Sequence, residues 1–323
     1  MAADFVVASD WPWGVQAVLR GRALLEHGST ALDAVESAIT LVEDDPGCRS
    51  VGTGGLPNAE GELELDASIM DGMTLKAGAV TCLTNTKNPI SVARKVMELT
   101  PHVLLAGKGA TDFARRCGFG EYNPITSKSW QEWKTLREEV FGAMSNEEAE
   151  QKYVNLTSDH YGYGTVLQLT EALRSRFDAS HGTVGVLARD QSRKIAAGTS
   201  TSGWPLRFPG RVADSSIIGA GTYANKKAAA SATGVGETAI RHCLAKEVCD
   251  LVEIGKTPTE ACETALLRIL SRETFDHLIA VFCIDSDCRV GGASTMAGFQ
   301  FEYMTSADPE PLIVVPTPVI RKG

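Results

Sequence analysis

Apolar positions recur along this chain at two spacings, and the switches between them mark out elements. Phe5-Val6-Val7-Ala8 is a short apolar run that reads as a strand. Helical spacing follows over about 14–27 and 30–43; in the second stretch Ala31, Val35, Ile39 and Val42 fall on one face. Thr30 with Asp33 three residues on resembles a capping box at its start. Over 62–71 the period drops to two: Leu63, Leu65, Ala67 and Ile69 alternate with Glu62, Glu64, Asp66 and Ser68. That predicts a strand with one buried face. A further strand is expected over 77–83, a helix capped by Asn88-Pro89 and running to Leu99, a strand over 103–106 and a helix over 109–117.

From 120 to about 180 the pattern weakens into charged sequence dotted with aromatics, such as Ser129-Trp130-Gln131-Glu132-Trp133, and reads as a mobile connecting segment. Regularity returns after it. Thr183–Ala188 and Lys194–Thr199 form a hairpin around Arg189-Asp190-Gln191-Ser192-Arg193, followed by helices near 235–254 and 258–271. Thr257-Pro258-Thr259-Glu260 combines N-cap, proline at N1 and acid at N3. Leu278–Ile284 and Val290–Ser294 make a closing hairpin. With no regular βαβ alternation, the order predicts layered helices and antiparallel sheets.

Composition narrows the function classes. The 323 residues, 43% hydrophobic and 22% charged, describe an ordinary globular chain. A formal charge of −9 leaves no basic stripe for nucleic acid. No apolar run has bilayer-spanning length and the N-terminus lacks signal-peptide features, so a cytoplasmic protein without membrane partners is expected. Eight cysteines show no CxxC spacing, and the pair Cys283 and Cys288 has no second pair or His motif to build a zinc site. They flank the turn Ile284-Asp285-Ser286-Asp287, where a disulfide could form, although the expected compartment is reducing. Neither metal nor cofactor is expected. Asn155-Leu156-Thr157 is a glycosylation sequon without a secretory context.

The candidate chemistry lies between His181 and Gly236. A threonine hydroxyl needs a base, and its own α-amino group serves only when Thr begins its chain; such a terminal amine ordinarily titrates at about 7.7–8. Gly182-Thr183 meets that need if the chain cuts itself there, because glycine tolerates the strained backbone of an attack on its carbonyl. Tyr163-Gly164-Thr165-Val166 repeats the triplet, but only Thr183 has Thr201, Arg211 and Asp214 downstream at a strand, return strand and loop distance. Arg211 and Asp214 can grip the α-carboxylate and α-ammonium of an amino acid, or pair with one another in the loop. Thr233-Gly234 can offer a hydroxyl and an N–H to an oxyanion. His181 can assist proton transfer or stand as an exposed loop histidine. A phosphate cradle from Gly219, Gly221, Gly234 and Gly236 lacks both phosphate-loop spacings.

Several motifs in order carry a resemblance across nearly the whole chain: Trp11-Pro12-Trp13, Ser50-Val51-Gly52-Thr53-Gly54-Gly55, Leu65-Asp66-Ala67-Ser68-Ile69-Met70-Asp71-Gly72, Gly182-Thr183-Val184-Gly185, Thr199-Ser200-Thr201-Ser202-Gly203, Gly210-Arg211-Val212-Ala213-Asp214-Ser215 and Gly219-Ala220-Gly221. Together they resemble the glycosylasparaginase and plant-type asparaginase (isoaspartyl peptidase) family of N-terminal nucleophile hydrolases. The resemblance implies an α+β fold, a four-layer αββα sandwich forming one folded unit. It also implies self-cleavage into residues 1–182, with a flexible segment over about 120–182, and residues 183–323, and a dimer of the cleaved heterodimers. Carried over by motif, Thr183 is nucleophile and base, Thr201 orients it, and Thr233 and Gly234 form the oxyanion hole. Arg211 and Asp214 hold the substrate's aspartyl part, while Trp11, Trp13 and Ser50 reach the site from the first chain. The reaction implied is hydrolysis of the side-chain amide of asparagine or N4-glycosylated asparagine through an aspartyl-threonyl ester. Trp11-Pro12 and the Leu65–Asp71 stretch resemble glycosylasparaginases, whereas Gly182 before the nucleophile resembles the asparaginase and isoaspartyl peptidase branch. The alternatives are an asparaginase or β-aspartyl peptidase without glycan specificity, and an uncleaved relative that acts by binding.

Overall fold

The structure, a computed structural model, describes residues 3–10, 13–141, 145, 148, 182–273 and 277–319. Residues 6–10 form β1 (Val6–Asp10), and the two amphipathic stretches after it become α1 (Gly14–Glu26) and α2 (Ala31–Glu43). The Thr30 and Asp33 capping box is formed in both directions. On α2, Val35, Ala38, Ile39 and Val42 are all buried, and full burial of a Val or Ile contributes roughly 1.5–3 kcal/mol. Next come β2 (Leu65–Asp71), β3 (Ala77–Leu83), α3 (Pro89–Leu99), β4 (Leu104–Ala106) and α4 (Gly107–Arg116). Asn88 does not cap α3 as expected. It sits at φ +57° and its side-chain amide instead donates to Asp44, leaving Pro89 to begin the helix.

The second half begins with the expected hairpin, β5 (Val184–Arg189) and β6 (Ile195–Thr201), paired antiparallel with Arg189 opposite Ile195. A short 3-10 turn (Asp214–Ser216) leads to β7 (Thr222–Ala224) and β8 (Ala228–Gly234). Neither strand was expected, because Ala-Ala-Ala-Ser-Ala has little strand propensity of its own. The helix expected over 235–254 is broken at Cys243, whose φ of +48° ends one helix and starts the next.

Before that half, the segment expected to be irregular contains α5 (Ser127–Phe141). Trp133 and Leu136 of this helix bury themselves against Leu56 and Leu206. The elements on either side of Cys243 are α6 (Gly236–His242) and α7 (Leu244–Glu253), followed by α8 (Pro258–Arg272), β9 (Ile279–Asp285) and β10 (Val290–Ser294). The β9–β10 hairpin does not close the chain, since β11 (Phe301–Thr305) and β12 (Leu312–Val314) follow. The rest of the expected mobile segment, including Asn155, Thr165 and His181, lies outside the described residues.

Two sheets result. The larger runs β12-β11-β1-β5-β6-β2-β3-β4, antiparallel except for the β3–β4 pair; the smaller runs β10-β9-β8-β7 and is wholly antiparallel. One apolar cluster joins α1, α2 and α3 to the outer face of the large sheet. A second joins α7 and α8 to the small sheet. A third, with Ala8, Leu187, Ala229, Phe282 and Phe301, lies between the sheets. Three cores separating four layers make the αββα sandwich.

β2 departs from its one-face expectation for this reason. Covered by helices on one side and the second sheet on the other, its polar face is buried too, with Asp66 and Ser68 fully enclosed. No helix among the described residues is long and apolar enough to cross a membrane. Cys283 and Cys288 are both free thiols.

Candidate active site

β5 is a central strand of the large sheet, between β1 and β6, and it delivers Thr183 at its N-terminal end. The Thr183 hydroxyl lies 3.1 Å from the Ser215 hydroxyl. Ser50, in the connection between α2 and β2, straddles the residue before it. Its hydroxyl donates to the Gly182 carbonyl at 2.6 Å and accepts from the Gly182 N–H at 2.9 Å. Ser50 is itself pinned by the end of β6, where the Thr201 hydroxyl donates to its carbonyl at 3.2 Å and the Ser202 N–H at 2.6 Å. Thr201 is thus linked to the Gly182-Thr183 bond through Ser50.

These residues open onto a cavity of about 90 Å³ that Ser50, Gly182, Thr183, Thr201, Arg211, Asp214, Thr233 and Gly234 all line. Residues from the loop after β6, the turn at 214 and the end of β8 in the other sheet therefore converge, although they are far apart in sequence. The remaining described wall is apolar or small: Gly203, Trp204, Pro205, Ala213 and Leu278. Among the described residues no cluster of three or more His, Cys, Asp or Glu side chains could hold a metal ion.

Asp214 is buried, and its Oδ2 has no hydrogen-bond partner among the described residues. Desolvation pushes its pKa up to about 7, with Arg211 pulling the other way. An unpaired carboxylate oxygen on a residue that lines a cavity is an acceptor that a cation, such as an α-ammonium, would satisfy. Arg211 does not pair with Asp214 in a loop salt bridge. Its guanidinium forks onto Glu237 at 2.8 and 2.9 Å, and that half-exposed partner can yield to an incoming carboxylate. Gly236 makes the arrangement fit, since a Cβ there would come within 2.7 Å of Asp214 Oδ1 and 3.1 Å of the Arg211 guanidinium.

Opposite them, Thr233 and Gly234 end β8. Gly234 holds φ +114°, a conformation that side-chain-bearing residues rarely adopt, and it lines the cavity. The Thr233 hydroxyl sits 3.8 Å from where a Cβ on Gly182 would project. A hydroxyl and a backbone N–H at that corner can stabilise negative charge on a carbonyl attacked by Thr183.

The loop carrying Arg211 and Asp214 is anchored by a buried ion pair. Arg207 meets Asp66 at 2.6 Å, donates to the Glu64 carbonyl at 2.8 Å, and is almost fully enclosed. Asp66 also accepts from Thr81 and the Cys82 N–H, so both charges are satisfied.

One expected site residue lies elsewhere. Trp13 occupies the N-cap of α1 and packs its ring against the outer core, where burying an indole is more favourable than solvating it in an open mouth. It is not among the residues lining the cavity. Trp11 and His181 lie outside the described residues. Sequence reading missed Ser215, Glu237, Trp204, Pro205 and Leu278. Ser215 directly follows Asp214 and was within reach, but a lone serine carries no signal until its partner is known. Leu278 has none, because it arrives from the start of β9 through sheet packing.

The chain matches the asparaginase family over residues 11–311. It is 43% identical over 296 residues to a plant-type L-asparaginase of Pyrococcus horikoshii, covering 92% of this chain and 90% of that protein. An N(4)-(beta-N-acetylglucosaminyl)-L-asparaginase of Elizabethkingia miricola is 40% identical over 304 residues, covering 92% and 80%. An isoaspartyl peptidase of Salmonella typhimurium is 38% identical over 253 residues, covering 77% and 74%.

Proposed function

This chain belongs to the asparaginase family and is a hydrolase of that amide-cleaving kind; on that premise we propose that it severs itself between Gly182 and Thr183 and then hydrolyses the side-chain amide of asparagine. One observation carries this reading: the Thr183 hydroxyl and the Gly182 carbonyl, held by Ser50, share a cavity with Arg211 and the unpaired Asp214 carboxylate. Self-cleavage begins as Thr183 Oγ1 attacks the Gly182 carbonyl, shifting the chain onto an ester that water opens. The freed amine then serves as base for its own hydroxyl.

In turnover, Arg211 grips the substrate α-carboxylate and Asp214 the α-ammonium, setting the amide carbon against Thr183 Oγ1. The oxyanion points at Thr233 and Gly234. The amine leaves with a proton, and water releases aspartate from the aspartyl-threonyl ester. The 43% identity to a plant-type L-asparaginase supports free asparagine as a substrate.

A second reading has its own support. Trp204 and Pro205 give the cavity an apolar wall beyond the groups assigned to the aspartyl part, and an aromatic face suits a leaving group larger than ammonia, such as the sugar of an N4-glycosylated asparagine. Assaying asparagine, N-acetylglucosaminyl-asparagine and a β-aspartyl dipeptide in parallel separates the substrates. Thr183→Ala should leave the chain whole and reduce turnover of all three to background; retained activity would refute the nucleophile.

A further inference from the structure

Asp10 ends β1, beside the strand that carries Thr183. Pairing between β1 and β5 stops at Ser9 opposite Val186, and one step further the Asp10 side chain takes over. Its Oδ1 accepts the Gly185 N–H at 2.7 Å. Successive N–H groups along a strand alternate in direction, so those of 183 and 185 point to the same edge, toward β1. Side chains alternate likewise. Asp10 stands opposite Phe301, which packs between the sheets. Gly185 faces Ser231 and Phe282 of the second sheet. Thr183, two residues before Gly185, shares that face.

Asp10 and Thr183 are therefore diagonal cross-strand neighbours on the inner face, a placement that in a regular ladder sets Cα atoms about 7–8 Å apart. The second carboxyl oxygen, Asp10 Oδ2, is buried without a hydrogen-bond partner among the described residues. A buried acid with one oxygen committed and the other idle is costly unless something arrives to use it.

Resting on the self-cleavage proposed above, we propose that Asp10 serves the nitrogen of Thr183: its carboxyl protonates that nitrogen as the Gly182–Thr183 bond opens, and its carboxylate afterwards holds the freed ammonium group. In the first step the Thr183 O–H and Gly182 C–N bonds break while an O–C bond and an N–H bond form. Asp10 gives its proton to the nitrogen and is reprotonated from the hydroxyl, so the shift is an isomerisation with no net proton change. Water then opens the ester, and amine and carboxyl share the remaining proton as ammonium and carboxylate.

Burial holds the Asp10 carboxyl well above the usual range, which favours its protonated form in the intact chain. Glu302 on β11 and Asp214 on the 3-10 turn act in the same direction. The facing segment of β5, the first turn of α1 and the part of β9 between the sheets bring no titratable side chain; Asp285 ends β9 in contact with Arg289.

Asp10→Asn retains an oxygen for the Gly185 N–H while removing the acidic proton and the charge. On a denaturing-gel time course of freshly folded protein, its self-cleavage should be at least tenfold slower than wild type. In the fraction that matures, the acidic limb of the kcat profile should move about one pH unit lower or more, because losing a neighbouring carboxylate lowers the ammonium pKa. Glu302→Gln, which removes only a lesser push on the Asp10 carboxyl from an acid packed against Gly14 on the outer face, should move both readouts far less than Asp10→Asn does.

Wild-type cleavage rate and an unmoved limb in Asp10→Asn would overturn the assignment, as would equal slowing in Glu302→Gln. Should Asp10→Asn not fold, Asp10→Ser decides: its hydroxyl can still accept from the Gly185 N–H, and a wild-type cleavage rate in it would overturn the role. A wild type yielding no chain that starts at Thr183 sinks the self-cleavage reading itself. A wild type that cleaves alongside an equally fast variant sinks only the role of Asp10.

Discussion

The residue most sensitive to its surroundings in the cavity is Asp214, enclosed, one oxygen unpaired, and with a pKa pushed up to about 7. As a raised acid it is protonated below that value and anionic above it, and only the anion can balance an α-ammonium. In the proposed reaction kcat/KM should therefore fall at least tenfold per pH unit below pH 7, since this ratio reports ionisations of the free enzyme and the Thr183 amine must also be unprotonated to act as base. Asp214→Asn should lower kcat/KM on the order of 100-fold through loss of a charge-assisted bond. A flat profile from pH 5.5 to 8, or an unimpaired variant, would remove Asp214 from substrate binding. Thr183, Thr201, Arg211 and Asp214 were legible because each is a reactive or charged type set among glycines at intervals a hairpin and loop can close. Trp204 and Ser215 were not, since an indole or a hydroxyl acquires meaning only from what tertiary packing places beside it.

At the scale of elements, the loop from 202 to 213 keeps its shape through Arg207, which is enclosed against Asp66 and Glu64. Removing one partner of such a pair strands a buried charge, so Arg207→Met should cost about 3–5 kcal/mol in denaturant unfolding. It should also raise KM by displacing Arg211. The capping box of α8, where the Thr257 side chain accepts from the Glu260 N–H and the Glu260 carboxylate from the Thr257 N–H, contributes less. Thr257→Ala should cost about 1 kcal/mol with activity unchanged; an activity loss would mean that α8 is coupled to the cavity. Helices with caps and clear periodicity were readable along the chain. β8, with four alanines among its seven residues, was not, because only the press of α7 on one side and the large sheet on the other makes it a strand. Cys243 breaks a continuous helical pattern for the same kind of reason, a backbone turn visible in no composition signal.

Across the whole molecule, the proposed cut falls inside a sheet that both resulting chains build. β1 from the first segment lies between β11 and β5 of the second, and β6 of the second pairs with β2 of the first. Interleaved strands cannot separate without dismantling the sheet, so the two pieces should co-elute on a sizing column in native buffer and part only in denaturant. Separation without denaturant would mean that the sheet does not hold them. The layered α+β plan could be anticipated from the alternation of strand and helix runs. The buried polar face of β2 could not, because its burial comes from a second sheet formed by residues more than 150 positions away. The most direct trial of the account is intact-mass analysis, with N-terminal sequencing, of freshly folded protein incubated until its composition stops changing. The account predicts two chains of 182 and 141 residues, the smaller beginning Thr183-Val184-Gly185. A lasting 34.4 kDa polypeptide, or a fragment starting at any other residue, contradicts it.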